Sequence, residues 1–168
     1  MASKTGGIGA PLTGCGWPER PGPPTLLGGG VHPFHLEFIT ADGDCAVLRI
    51  DGDVDAYAAP QLRDQVIDVA GNGTVHIIAD LRGAGFLDSA GLGALVGSRK
   101  ELRARGGSLA LVAGTDRVLQ TLRIAGLSDA FAVYSCVLHA ITADQHWQAA
   151  ASGDGGSAAE WCRKRGLL

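Results

Sequence analysis

The run Asp88-Ser89-Ala90-Gly91-Leu92-Gly93 holds the side chains best suited to chemistry in this sequence, a hydroxyl beside a carboxylate among residues too small to shield it. The pattern around it is a buried strand, a loop and then a helix that opens at Asp88-Ser89. The first backbone N–H groups of a helix have no partner within it, and the helix dipole favours negative charge there. A phosphate carried by Ser89 is therefore compatible with the helix, and it adds about −1.5 to −2 charges next to Asp88. Both residues are also good helix caps, so spacing alone leaves capping open as the plainer role. Gly91, Gly93 and Gly97 are unusual inside a helix, where each costs about 1 kcal/mol relative to Ala. They imply close packing onto a sheet or close approach of a partner.

Three enzyme motifs fail at this segment. A nucleophile elbow needs glycine two residues either side of the serine, but Leu87 stands on one side and Gly91 on the other. A dinucleotide fingerprint fails because Gly91, Gly93 and Gly97 are spaced one residue too far and fall within the helix. No Gly-Lys-Ser/Thr is present for a phosphate loop, so a nucleotide-binding module has no support either. No catalytic residue is assigned, and the chain is not expected to be an enzyme.

The elements that must position Ser89 follow from periodicity. Residues 34–39 alternate in polarity, turn at Asp42-Gly43-Asp44 and return as 45–50, a hairpin. A helix is expected from Pro60, with Leu62, Val66, Ile67 and Val69 as its stripe, ending at Gly71-Asn72-Gly73. Residues 74–80 form a nearly continuous β-branched run, as in a strand covered on both faces. A loop is expected over Leu81 to Leu87, then the Ser89 helix through Leu102, a strand over 108–112 and a helix capped by Thr115 or Asp116. A short edge strand at 131–134 and a helix from about Val137 to Ala143 complete the core. This alternation predicts an α/β fold with a mixed central sheet and helices packed against it.

Composition bounds the rest. The chain has 168 residues, 46% of them hydrophobic, and a formal net charge of −3. Residues 34–143 carry nine basic and thirteen acidic side chains, a net of −4, which argues against nucleic acid as a direct partner. No run approaches the roughly 20 apolar residues of a membrane span, and no secretory signal is visible, so the expectation is cytoplasmic. Residues 1–33 are rich in Gly and Pro and are expected as a disordered arm, and residues 144–168 as a flexible tail with a soft linker at 152–159. Cys15, Cys45, Cys136 and Cys162 contain no C-x-x-C pair, and His32, His35, His76, His139 and His146 are equally scattered. The cysteines read as buried or incidental thiols, and spacing gives neither a metal site nor a cofactor, although folding can join distant ligands.

Five ordered segments together resemble the STAS domain family of anti-sigma factor antagonists. They are Ile50-Asp51-Gly52-Asp53-Val54-Asp55, Ile78-Ala79-Asp80-Leu81, Phe86 through Leu95, Gly106 through Val112 and Leu122 through Leu127. The resemblance covers residues 34–143. It implies that Ser89 is the phosphoacceptor, that Asp55 and Asp88 match acidic positions at the partner surface, and that Ala90, Gly91, Leu92 and Gly93 complete that surface. It further implies a serine-kinase type anti-sigma factor as partner, release of a sigma factor on binding, and a serine phosphatase that restores the active form. The alternative is a STAS subunit acting as a scaffold in a transporter or signalling complex.

Overall fold

The computed structural model describes residues 33–153 and 155–168. The arm expected over residues 1–33 thus lies almost wholly outside the described residues. In chain order the elements are β1 (His35–Thr40), β2 (Cys45–Val54), α1 (Ala58–Gly71), β3 (His76–Leu87), α2 (Ser89–Ala104), β4 (Ser108–Val112), α3 (Asp116–Ile124), β5 (Ala132–Tyr134), α4 (Val137–Thr142), α5 (Gln145–Ala151) and α6 (Ala158–Lys164).

The five strands form one sheet in the order β1-β2-β3-β4-β5. β1 is antiparallel to β2, and every later pairing is parallel. A hairpin can join only antiparallel neighbours; the parallel ones need the helical crossovers that follow. The mixed α/β sheet expected from the alternation is the one observed.

Side chains alternate across the sheet with the period of two that a strand imposes. Leu48, Ile50, Ile77, Ala79, Leu81, Leu109 and Leu111 pack on one face with Leu62 and Val66 of α1, Leu95 and Leu102 of α2, and Val118 and Leu122 of α3. Cys45, Val47, Ile78 and Val112 pack on the other with Val137 and Ile141 of α4, Trp147 of α5, Trp161 and Cys162 of α6, and Leu167. Both faces are covered, which is why residues 74–80 read as continuously apolar.

Two segments depart from expectation. The loop foreseen over Leu81 to Leu87 is the second half of β3. Its pairing to β2 shifts register between Arg49 and Asp51 and again between Gly52 and Asp53, so extra residues of β3 break the alternation. Gly52 supplies the positive φ (89°) at that irregularity. The segment foreseen as a flexible tail carries α5 and α6, whose Trp147 and Trp161 are buried edge to face with ring centroids 6.4 Å apart. Two large aromatic surfaces on a short segment supply the burial that its glycine-rich linker conceals.

A buried ion pair fastens this last segment. Asp80 is fully buried, and its carboxylate accepts from Arg82 Nε at 2.9 Å and Nη2 at 2.8 Å. Arg82 also donates to the Leu167 carbonyl, and Arg49 to that of Gly166. Cys45 and Cys162 are buried free thiols. Burial pushes the Cys162 thiol up to about 11, against the pull of Arg82 and Arg165. Burial, with the nearby Asp44 and Asp144 carboxylates, pushes Cys45 up to about 12. Cys136 is disulfide-bonded, a correction to its reading as an incidental thiol. Spacing in sequence carries no information on a bridge that needs only proximity in space. Among the described residues no helix is long and apolar enough to cross a membrane.

Removing one member of a buried pair leaves the other charge uncompensated. Arg82→Leu is therefore expected to lower unfolding free energy by about 3–5 kcal/mol. Urea denaturation followed by tryptophan fluorescence reads this, because Trp147 and Trp161 both sit on the affected face.

Candidate functional site

The site lies where β2 and β3 end side by side. Val54 pairs with Leu87 as the last residues of the two parallel strands, so Asp55 and Asp88 leave the sheet together. The Asp88 N–H donates to the Val54 carbonyl at 3.3 Å, which locks the two exits to each other. Loops at the carboxyl ends of parallel strands are where open α/β sheets place their functional groups.

Each aspartate caps the helix that follows it. Asp55 Oδ1 accepts from the N–H groups of Tyr57 and Ala58, at 2.9 and 3.0 Å, and its carbonyl accepts from Ala59. Asp88 is the N-cap of α2, with extended φ and ψ of −95° and −174°, and its carboxylate accepts from the Gly91 N–H at 2.9 Å. Capping is thereby assigned to Asp88. Ser89, the first residue of α2, is exposed.

The glycines divide by role. A Cβ on Gly91 would sit 2.7 Å from the Val54 carbonyl oxygen and 2.6 Å from Leu87 Cδ1. Gly91 is buried because the first turn of α2 rests directly on the end of β2. Gly93 is exposed, with nothing within 4 Å of where its Cβ would lie. With Ala56, Ala59, Pro60, Arg63, Ala90 and Ala94 it borders an open groove of about 630 Å³ between α1 and α2.

The residues singled out in the sequence thus gather at one corner but are unequally presented. Ser89 and Gly93 face solvent, Asp55, Asp88, Ala90 and Leu92 are half-buried, and Gly91 is covered. Ala90 and Leu92 also pack against the main core. Two residues escaped the sequence reading. Tyr57, in the turn capped by Asp55, is 85% exposed, and Phe86, near the end of β3, is 45% exposed. Both aromatic side chains are thus left in water beside the polar corner. Their signal was present as aromatics flanking the Asp55 and Asp88 turns, but strand and turn residues of this type are ordinarily buried.

Comparisons with known proteins point to one family. The model for the STAS domain matches residues 39–140. The anti-sigma-B factor antagonist of Bacillus subtilis is 37% identical over 82 residues, 49% of this chain and 74% of that protein. Among solved structures, an anti-sigma factor antagonist from Mycobacterium paratuberculosis superposes with a TM-score of 0.60 at 25% identity, covering 66% of this chain and 93% of that one. The Bacillus cell fate determinant SpoIIAA in its phosphorylated form gives a TM-score of 0.52 at 25% identity, covering 66% and 98%.

The two glycines respond oppositely to the same substitution. Gly91→Ala is expected to destabilise the fold by about 1–3 kcal/mol, since the methyl overlaps backbone that cannot retreat. Gly93→Ala is expected to be neutral or to stabilise by about 0.5–1 kcal/mol, through the better helix propensity of Ala. Thermal unfolding of the two variants side by side checks both signs.

Proposed function

The chain belongs to the STAS domain family, with anti-sigma factor antagonists as its relatives, and from that we propose that it binds a serine-kinase type anti-sigma factor and is switched off by phosphorylation of Ser89. Binding sequesters the anti-sigma factor and frees a sigma factor, while a serine phosphatase restores the binding form. The observation that carries this reading is the exposed Ser89 hydroxyl at the first position of α2, relieved of capping by Asp88.

The electrostatics suit a switch that needs no refolding. A phosphate on Ser89 joins a corner that already holds the Asp55 and Asp88 carboxylates, in a chain of net charge −3. Within the free protein, the positive end of the α2 dipole offsets part of that added charge, and solvent screens the remainder. Under a bound partner the same charge is desolvated, and juxtaposed like charges there cost several kcal/mol. Ser89, Gly93, Tyr57 and Phe86 form the exposed part of the proposed contact, with Asp55, Asp88, Ala90 and Leu92 behind them. Gly91 supports this surface from beneath by seating α2. The role proposed is that of a regulator whose chemistry is performed on it by a kinase and a phosphatase. It involves no cofactor, no direct contact with nucleic acid and no membrane insertion, and its setting is the bacterial cytoplasm, where stress signals act through sigma factors.

Wild type, Ser89→Ala and Ser89→Glu baits, used against a lysate of the source cells and read by mass spectrometry, test the switch. Wild type and Ser89→Ala are expected to recover a small kinase-like anti-sigma factor. Ser89→Glu is expected to weaken that interaction about tenfold or more, equivalent to about 1.4 kcal/mol. Recovery of the same partners by all three baits overturns the switch and favours a scaffold role.

A further inference from the structure

At the end of the sheet opposite Ser89, folding gathers four side chains that the sequence keeps far apart. Asp44 closes the turn between β1 and β2, and Cys45 opens β2. His76 opens β3 directly across from Cys45 in the pairing register. His146 lies in the first turn of α5. The Asp44 carboxylate meets His146 Nε2 at 2.6 Å and His76 Nε2 at 3.7 Å, and the Cys45 thiol lies 3.8 Å from Asp44 Oδ1. Ligand atoms of Asp44, Cys45 and His146 all fall within 4.8 Å of one another. The two imidazole rings are 4.2 Å apart between centroids.

We propose that Asp44, Cys45 and His146, with His76 as fourth ligand, form a binding site for a zinc-class divalent metal ion that staples α5 to the sheet. One sulfur, two imidazole nitrogens and one carboxylate oxygen make four donors, each of a type that zinc accepts, in the number its tetrahedral sites take. Calcium and magnesium prefer all-oxygen ligands, so a thiol and two imidazoles select against them. His76 shows the outer support that metal-bound histidines carry. Its Nδ1 is 2.9 Å from Ser108 Oγ, which turns Nε2 toward the cluster. Asp44 and His146 are partly exposed while Cys45 is buried, so the site is open to an ion from solvent. On binding, the Cys45 thiol proton passes to solvent as the sulfur–metal bond forms, and both histidines bind as neutral imidazoles.

The site also has a mechanical meaning. α5 begins the segment that closes one face of the sheet, and His146 reaches back 102 residues to the hairpin turn. The linker after α5 lies so near that turn that a Cβ on Gly153 would overlap the Asp42 carboxylate. A metal bound here ties the closing segment down at its start, as the Arg49 and Arg82 contacts do at its end.

The full chain, with its thiols kept reduced, is titrated with Zn2+ in the presence of a competing chelator and separately with Co2+. The expected result is one ion per chain, a raised unfolding temperature with Zn2+, and a near-ultraviolet thiolate-to-cobalt charge-transfer band. His146→Gln and Asp44→Asn should each weaken Zn2+ binding about tenfold or more, since loss of even an outer-shell partner of a metal ligand costs about 10- to 100-fold. Cys45→Ser should abolish the charge-transfer band, and His139→Ala should change nothing. His146 is half-exposed, so its variant folds, and far-ultraviolet circular dichroism verifies this. Absence of binding overturns the proposal. So does binding that persists unchanged in His146→Gln and Asp44→Asn, or a cobalt complex without the thiolate band.

Discussion

The pairing of β2 with β3 is the constraint on which the rest depends. Their parallel register, ending at Val54 opposite Leu87, brings two chain exits to one level of the sheet. Because each exit begins with an aspartate that caps the next helix, α1 and α2 start side by side. Ser89 owes its place to that coincidence of endings and not to any contact of its own hydroxyl. Gly91 enforces the spacing, since any side chain there would push α2 off the Val54 carbonyl. A slip of one residue in this register would turn every side chain of β3 to the opposite face, exchanging the two cores and moving the corner.

The same pairing explains what the sequence could and could not reveal. The first half of β3 was legible as a covered strand, and residues 45–50 of β2 as the returning strand of a hairpin. The second half of β3 was not, because register shifts at Gly52 and near Asp51 break the period that a strand reading depends on. The corner itself was legible through Asp88-Ser89 and the glycines beyond it. What spacing could not resolve was the division of labour. Asp88 and Ser89 are both adequate caps, and Gly91 and Gly93 look alike on paper. Only the position of the Val54 carbonyl separates a glycine required by packing from one that faces solvent.

The closing segment was hidden for a different reason. A linker of Gly, Ser and Asp between two seven-residue helices carries little propensity, and neither helix would hold its shape alone. Their order comes from tertiary burial of Trp147, Trp161 and Leu167, with the Asp80–Arg82 pair anchoring the chain end. Sequence periodicity does not report on such contacts, which join residues 85 positions apart. With both sheet faces covered, large apolar side chains still reach solvent at Tyr57 and Phe86, beside the Ser89 corner, and at Val96 and Ile124.

That placement bears on how one phosphate can govern binding under the proposed reading. A switch of this kind must be tolerated by the fold and intolerable at the interface. Near a helix start the dipole favours a negative group by about 0.3–1 kcal/mol at an exposed position, so the free protein keeps its structure when modified. Like charges pressed together in a desolvated interface cost several kcal/mol, and each 1.4 kcal/mol is a tenfold loss of affinity. The ratio between these magnitudes makes rearrangement of α2 unnecessary. It also requires that Asp55 and Asp88 stay where they are, since their carboxylates are held by backbone donors and cannot swing away from the new charge. A corner built from two capped helices is therefore rigid in the respect that matters, and its response to phosphate is set by charge alone.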